Sequence, residues 1–535
     1  DINKNLLKLF IFTFFGIFFE LLGISLVLPA ITIVTKGDYE FNLGIGIDDE
    51  LNNFISNLNS SELFVFPLLI LLLIYTTKGF YLLFLRFYNG KFSYIFVRKL
   101  SNNIYKNYLY QDQLFHLGRN SSDLIRIGTT EIPFFLKNII MPSIVIFMEI
   151  FVLMGIIFIL LSVETISTLI VLSIIIFISL TYYLIISGKI KRWGQERLFH
   201  EGKKIQNLTQ GLHGIKTVKI FNQEENFLNK FNFHVEASAK SNLYATLISQ
   251  TPAILIEFVI VCLIIIFMIF NVKSSMNVAE YFPTMALFAA AAFRIMPSMG
   301  RLIVNFQMIK YALPAVDKLH KEFPLKSEAY QPSNSKIKIN FKDQIQIHNL
   351  SFKYPNNQEN LLQDLNLKIK FGEIVGIMGK TGEGKSTIVD LICGLLQPQK
   401  GRILIDDRDI QQNLKSWQQQ IGYVPQNVYL LDDTIKENII FGSKNNDDTK
   451  KNLNNAIKLA QLENLITNLP DGLETLVGDR GTRLSGGQIQ RIGIARAIMN
   501  NAQVLIFDES TSALDIDTEK KLIDDIYKLK SKKTL

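Results

Sequence analysis

Eight consecutive residues, Gly379-Lys380-Thr381-Gly382-Glu383-Gly384-Lys385-Ser386, carry the strongest chemical signal in the chain. They follow an apolar run and precede a helical pattern that begins at Thr387. Glycines at this spacing let successive backbone N–H groups curl around phosphate oxygens, and the helix start adds favourable partial charge. Lys385 then reaches the β- and γ-phosphates, and the Ser386 hydroxyl is a ligand for Mg²⁺. A second apolar run, Gln503–Phe507, ends in Asp508-Glu509. Asp508 at such a tip holds Mg²⁺ through water, and Glu509 orients or deprotonates an attacking water. Leu484-Ser485-Gly486-Gly487-Gln488 opens a further helix and forms a second phosphate cradle from Ser485, Gly486, Gly487 and Gln488. One chain therefore holds two cradles but one set of Mg²⁺ ligands. The economical solution is a second identical chain, with the Ser485 cradle of one copy closing on the nucleotide held by the other. The implied reactants are ATP and Mg²⁺.

These groups need strands and helices to hold them. The pattern predicts a strand over Glu373–Met378, a helix over Thr387–Leu396 and a strand over Gln503–Phe507. From Ile337 onward the chain alternates such elements, which makes 337–535 an α/β P-loop ATP-binding domain. Leu319–Lys336 is polar, contains Pro324 and Pro332, and reads as a linker.

Residues 1–318 have a different character. Of all 535 residues 48% are hydrophobic and 19% charged, against about 25% charged in soluble chains. Mean hydropathy is +0.21. Disordered, collagen-like and disulfide-stapled classes are excluded, and Cys262 and Cys393 suggest no disulfide framework. Six segments are long and apolar enough to span a bilayer: Leu6–Val34, Leu63–Phe87, Pro133–Leu161, Thr165–Ser187, Ile248–Val272 and Pro283–Ile309. Basic residues crowd the segments after the second and fourth spans, whereas Gly37–Glu62 is acidic. By the positive-inside rule both termini are cytoplasmic, and the net charge of +8 needs no nucleic acid. The long basic segments read as helical extensions that turn back in the cytoplasm through short helices at Asp112–Leu117 and Gly211–Phe221. Asp49–Leu58 reads as an amphipathic helix on the outer surface.

Ionisable residues within spans are costly and are functional candidates: Glu20, Lys78, Glu149, Glu257, Arg294 and Arg301. Either they pair and specify packing, or they line a polar cavity. Arg294 and Arg301 are seven apart and share a helix face, and two guanidiniums there suit a phosphate or pyrophosphate. Arg294, Arg301, Lys78 and Glu20 are thus the candidate substrate residues.

LSGGQ, the phosphate loop, IGYVPQN around Gln426 and SALD at Ser512–Asp515 together resemble the nucleotide-binding domain of an ABC transporter. The resemblance covers Ile337 to the last residue. It implies that Tyr354 stacks on adenine and that Gln426 links Mg²⁺ and the attacking water to the membrane domain. It further implies that Asp515 couples two ATP sites and that Val477–Gly481 touches cytoplasmic helices. ATP contacts then fall on Tyr354, the loop Gly379 to Thr387, Ser485 to Gln488 and Asp515; Mg²⁺ ligation on Ser386, Gln426 and Asp508; catalysis on Glu509, Gln426 and Lys385. The family's histidine is expected on a strand that would begin near Lys533-Thr534-Leu535, and Asp1 in place of Met implies residues ahead of it.

The order of the two parts is similar to a half-size ABC exporter: a membrane α-helical domain of six spans with long cytoplasmic extensions, then the P-loop domain, acting as a homodimer. GLHGIKTVKIFNQEENFLN at Gly211–Asn229 resembles the exporters' second coupling region. FFELLGISLVLPAI, IEF and FRIMPSMGRL resemble the bacterial lipid-linked oligosaccharide flippase of protein N-glycosylation. That likeness implies outward movement of a polyprenyl-pyrophosphate glycan across a bacterial plasma membrane, with Arg294 and Arg301 facing the pyrophosphate. Lys78 stands where a third arginine is expected. Flippases of phospholipid or lipid A and peptide exporters would share the ATP motifs. A non-transporting regulatory ATPase is disfavoured by the intact Glu509.

Overall fold

The computed structural model describes residues 2–25, 60–163, 165–273, 278–322, 338–355, 357, 359–442, 447–511 and 513–535. Asp49–Leu58 lies outside them. Two compact units result: Asp1–Tyr110 with Arg119–Lys326, and Gln111–Gly118 with Ser327–Leu535.

The first unit is all helix among its described residues. Its long runs are Ile2–Ser25, Ser60–Leu109, 121–163, Thr165–His213, Glu224–Lys273 and Val278–Glu322. Ser60–Leu109 and Glu224–Lys273 each have 50 residues, a rise of about 75 Å, whereas a bilayer core needs only about 30 Å. Four of the described helices are long and apolar enough to cross a membrane: Asn3–Leu22, Ser121–Ser162, Thr168–His213 and Glu224–Cys262. The other two predicted spans fall in Ser60–Leu109 and Val278–Glu322, where many side chains lie outside the described residues. Thr165–His213 packs along Glu224–Lys273, and Val278–Glu322 packs against Met141–Val163. Ile17, Val152, Ile156, Ile256, Ile260 and Ile295 form a dry centre between them. Leu319–Glu322, placed in the linker by its polar neighbours, is the last turn of Val278–Glu322, because Leu319 is only 1% exposed.

The run 121–163 contains two π-helical turns, Ile127–Glu131 and Leu136–Ile140. Glu131 ends the first and is fully buried, accepting from Arg126 Nη1 at 3.2 Å and Arg197 Nη1 at 3.0 Å. Such an extra-residue turn re-aims side chains and is frequent at working sites. Two arginines on one carboxylate satisfy a charge that would otherwise be prohibitively placed.

Both expected turn-backs contain short helices. Gln113–Leu117 is capped by Asp112, whose carboxylate accepts the Phe115 N–H at 2.9 Å. This segment belongs to the second unit, where Leu114 packs on the core. Ile215–Ile220 follows Gly214.

The second unit has an antiparallel sheet in the order β2-β1-β3-β4 and a parallel pair β5-β6. The strands are β1 Gln344–Phe352, β2 Leu362–Lys370, β3 Lys400–Ile405, β4 Arg408–Asp409, β5 Ile421–Val424 and β6 Val504–Phe507. Inward residues Ile345, Ile347, Ile403 and Ile405 bury against Ile392 and Trp417, and the Trp417 indole N–H donates to the Ile392 carbonyl at 2.7 Å. That bond fastens the end of the helix Lys385–Ile392, which begins at the phosphate loop. A second core, with Ile435, Ile439, Ala456, Leu462, Ile492 and Ala495, lies under the helix Gly486–Met499.

Two further expectations are corrected in the second unit. Glu373–Met378 forms no regular strand: among the described residues its ladder consists of two bonds, Val375 N–H to the Leu535 carbonyl and Leu535 N–H to the Glu373 carbonyl. The helix predicted at Thr387–Leu396 starts at Lys385 and ends at Ile392, since Gly394 at φ +68° breaks the turn. Thr534 makes an isolated parallel bridge with Val504.

Candidate nucleotide site

Parallel pairing of β5 and β6 sets the register of the site. Val424 lies opposite Phe507, so residues equally far past the two strand ends are brought level. The Asp508 N–H donates to the Val424 carbonyl at 3.0 Å. Two residues beyond the paired ends, Gln426 Nε2 donates to Glu509 Oε2 at 2.7 Å. Glu509 sits at φ +49°, a left-handed conformation that costs a non-glycine residue energy and is found where side-chain placement matters. Its side chain is exposed. Tyr423, which the sequence reading passed over within IGYVPQN, donates its hydroxyl to Asp508 Oδ2 at 3.5 Å. Burial, then the Asp508 charge, pushes the Tyr423 hydroxyl up and keeps it protonated. Asp390, on the phosphate-loop helix, is held above the usual carboxylate range by burial and then by Asp508. Burial and then Asp390 push the Cys393 thiol up to about 12.

The phosphate loop has the conformation its glycines predict. Gly382 and Gly384 have φ +89° and +93°, which L-side chains rarely adopt. The Lys380 N–H donates to Glu383 Oε2 at 2.7 Å, so an anionic oxygen already lies against a loop amide. Lys385 Nζ donates to the carbonyls of Gly379 and Lys380 at 2.8 and 3.0 Å, folded over the loop. Thr381 and Ser386 are exposed, and Thr387 is buried with its hydroxyl 3.1 Å from that of Tyr354. The Tyr354 ring meets Phe352 edge-on at 5.1 Å. Helix start, loop amides and lysine fit a polyphosphate. Ser386, Asp508 and Gln426 offer one hydroxyl, one carboxylate and one amide. Such a set suits Mg²⁺, which keeps waters and takes further oxygens from phosphate.

Ser485 caps the helix Gly486–Met499 in a capping box. Gln488 N–H donates to its hydroxyl at 3.4 Å, and Ser485 N–H donates to Gln488 Oε1 at 2.9 Å. The amides of Gly486 and Gly487 lie in the first turn, where no intrahelical carbonyl faces them. Asp515 caps Ile516–Tyr527 through the Thr518 N–H at 2.9 Å. That bond holds its carboxyl below the usual range. Gln490 Oε1 accepts the Ala513 N–H at 3.0 Å and so fixes the loop before Asp515.

The candidates in the first unit are arranged otherwise. Lys78 Nζ donates to Glu20 Oε2 at 2.9 Å and lies 5.1 Å from the centre of the Tyr75 ring. Arg301 Nε donates to Glu149 Oε1 at 2.5 Å. The Arg301 side chain is nevertheless 40% exposed, and Glu149 Oε2 is buried without a partner among the described residues. Arg294 belongs to the helix Val278–Glu322, but its side chain lies outside the described residues. Glu257 is exposed.

Residues 362–512 match the family model described as ABC transporter, and residues 6–296 match the ABC transporter transmembrane region. An ATP-dependent lipid A-core flippase of Wigglesworthia glossinidia brevipalpis is 32% identical over 345 residues, 62% of this chain and 58% of that protein. The mitochondrial iron-sulfur clusters transporter ATM1 of Kluyveromyces lactis is 30% identical over 442 residues, 80% of this chain and 59% of that protein. The chain thus spans about three fifths of the length of these curated relatives. The solved structure of a bacterial Atm1-family ABC exporter with ATP bound matches with a TM-score of 0.79 at 20% identity, covering 99% of this chain and 90% of that one.

Proposed function

The chain belongs to the ABC transporter family, and on that premise we propose that it is an ATP-driven half-size exporter working as a homodimer. The observation that carries the reading is the Gln426–Glu509 contact beside Asp508, at the ends of two strands held in register. Loop amides and Lys385 bind the β- and γ-phosphates, with Lys385 exchanging its two carbonyl acceptors for phosphate oxygens. Tyr354 stacks on the adenine. Ser386, Asp508 and Gln426 would hold Mg²⁺, which would offset phosphate charge when bound. Glu509 accepts a proton from the attacking water, and the Gln426 amide fixes which carboxylate oxygen faces it. Ser485, Gly486, Gly487 and Gln488 of the second copy close over the same nucleotide, and Asp515 couples the two sites.

The test of the shared site uses two variants. Chains with Lys385→Ala, mixed with chains carrying Ser485→Arg, should regain one working site per heterodimer although each variant alone is inactive. Equal inactivity of the mixture and of the separate variants would refute the shared site.

The cargo reading is a lipid-linked anion, in the form of a polyprenyl-pyrophosphate glycan moved outward across a bacterial plasma membrane. Its support is the FRIMPSMGRL resemblance and the exposure that Arg301 keeps while paired. Arg301, Arg294 and Lys78 attract the head group, and Glu20 and Glu149 hold two of these cations until it arrives. The name of the Wigglesworthia relative favours a second reading, an anionic glycolipid of the lipid A kind. Transbilayer movement of the two labelled lipids in proteoliposomes, each with and without ATP, decides between them, and movement of neither removes the cargo proposal.

A further inference from the structure

A shared site gives each copy two duties in different places. Glu509 serves the nucleotide on the chain's own phosphate loop, and the Ser485 cradle serves the nucleotide of the second copy. Within one chain the two places are joined by a single side chain. Gln490 lies in the second turn of the helix Gly486–Met499 and is 6% exposed. Its Oε1 accepts the Ala513 N–H at 3.0 Å. Ala513 lies between Glu509 and Asp515, and the Leu514 N–H donates to the Thr511 carbonyl at 3.0 Å, which closes this stretch into a turn.

The turn is also pressed against the start of the helix. A Cβ on Gly487 would stand 2.9 Å from the Ala513 carbonyl oxygen and 3.3 Å from Leu514 Cδ2. The first distance is closer than a real Cβ approaches, so a glycine at 487 is what lets the turn seat there. One turn further on, Ile492, Ile494 and Ala495 are fully buried, so the body of the helix does not yield. Steric contact resists pushing the turn and the helix together, and the hydrogen bond resists pulling them apart. Together they pass a displacement of the cradle to the turn in both directions.

We propose that Gln490 is the positioning residue that couples the two nucleotide sites, by fastening the turn between Glu509 and Asp515 to the cradle that closes on the second copy's nucleotide. The inference rests on the shared-site reading. Closure of a cradle then moves the turn of the same copy, and occupancy of one site is felt at the other. The bond is neutral, so it holds the backbone of the turn and leaves the charge of Glu509 untouched.

The test is an ATP titration of the ATPase rate of the full chain in nanodiscs, with the thermal unfolding midpoint recorded for each variant. Two coupled sites give the parent a Hill coefficient above about 1, with about 2 as the ceiling. Gln490→Leu keeps the volume and removes the acceptor, and should bring the coefficient to about 1. Gln490→Ala leaves room for a water on the Ala513 N–H, guards against misfolding of the leucine variant, and should act in the same way. A purely structural role would lower the rate at every ATP concentration and leave the coefficient at the parental value, and that result overturns the proposal. A parental coefficient of about 1 also overturns it, since there is then no coupling to carry. The shared site itself is judged separately, by the mixture of Lys385→Ala and Ser485→Arg chains: an active mixture with an uncoupled parent removes only the role of Gln490, and an inactive mixture removes the shared site as well.

Discussion

Acidic groups in the two units keep different company. In the first unit Glu20, Glu131, Glu149 and Glu322 each meet a cation: Lys78, the pair Arg126 and Arg197, Arg301, and Arg119. In the second unit the contacts described for Asp508 and Glu509 are neutral, a phenol and an amide. On the proposed roles, the difference follows from what each charge is for. A carboxylate buried among helices loses more by desolvation than it regains unless a cation answers it. A carboxylate that must take a proton or hold Mg²⁺ would be blunted by such a partner, and a neutral donor orients it while leaving its charge available. The buried, cation-paired acids of the first unit therefore serve architecture first, and Asp508 and Glu509 keep their charge unanswered by the side chains described beside them.

The comparison can be broken where the effect is largest. Glu509→Gln should bind ATP normally and hydrolyse it about 10²–10⁴-fold more slowly, while its unfolding midpoint stays within a degree or so of the parent, since an exposed residue changes stability little. A variant with parental turnover would show that Glu509 is not the base. The converse holds for Glu131→Gln. It leaves Arg126 and Arg197 facing a neutral amide in a dry site, so stability should fall by about 3–5 kcal/mol, read by denaturant unfolding of the full chain in detergent. A loss of ATPase without loss of stability would put Glu131 with the chemistry instead.

Arg301 tests the middle ground. Arg301→Ala removes the cation described beside the buried Glu149, so stability should fall by about 3 kcal/mol, the low end of the range for breaking a buried pair, because Arg301 itself is only partly buried. If Arg301 also grips cargo, flipping should fall further than that loss of stability accounts for, and Arg301→Lys should restore stability better than transport.

The smallest effect is expected at Asp515. The Thr518 N–H holds its carboxyl below the ordinary value, so its stabilisation is present above the unfolded value of about 3.9 and lost as pH falls through the lower folded value. The difference in unfolding midpoint between the parent and Asp515→Asn should therefore be small at neutral pH and close to nothing in strong acid. A difference that grows on acidification would contradict the cap.

Much of the candidate site was legible because its determinants are local. Glycines at 382 and 384 permit the left-handed turns found there, Ser485 with Gln488 favours a capping box, and Asp112 favours the helix that follows it. Tyr423 and Asp390 were missed because nothing in their neighbourhoods differs from ordinary strand and helix residues. Only the parallel pairing of β5 with β6 and the packing of the phosphate-loop helix bring them to Asp508. Glu373–Met378 was read as a strand from apolar composition, but a strand is defined by its partners, and among the described residues the ladder reaches only Leu535.

The sequence by itself determined the apolar helices, the glycine turns at 382 and 384, the Ser485 cap and the carboxylates at the end of β6, because each rests on backbone preferences and hydrophobic patterning over a few residues. Tertiary structure decided which charges answer one another. Arg301 meets Glu149 across 152 positions and Lys78 meets Glu20 across 58. Glu131 gathers Arg126 from the same run and Arg197 from another helix. Such pairings depend on the rotation and offset of whole helices against each other. Those are set by the packing of many side chains at once, so no single stretch of sequence records them.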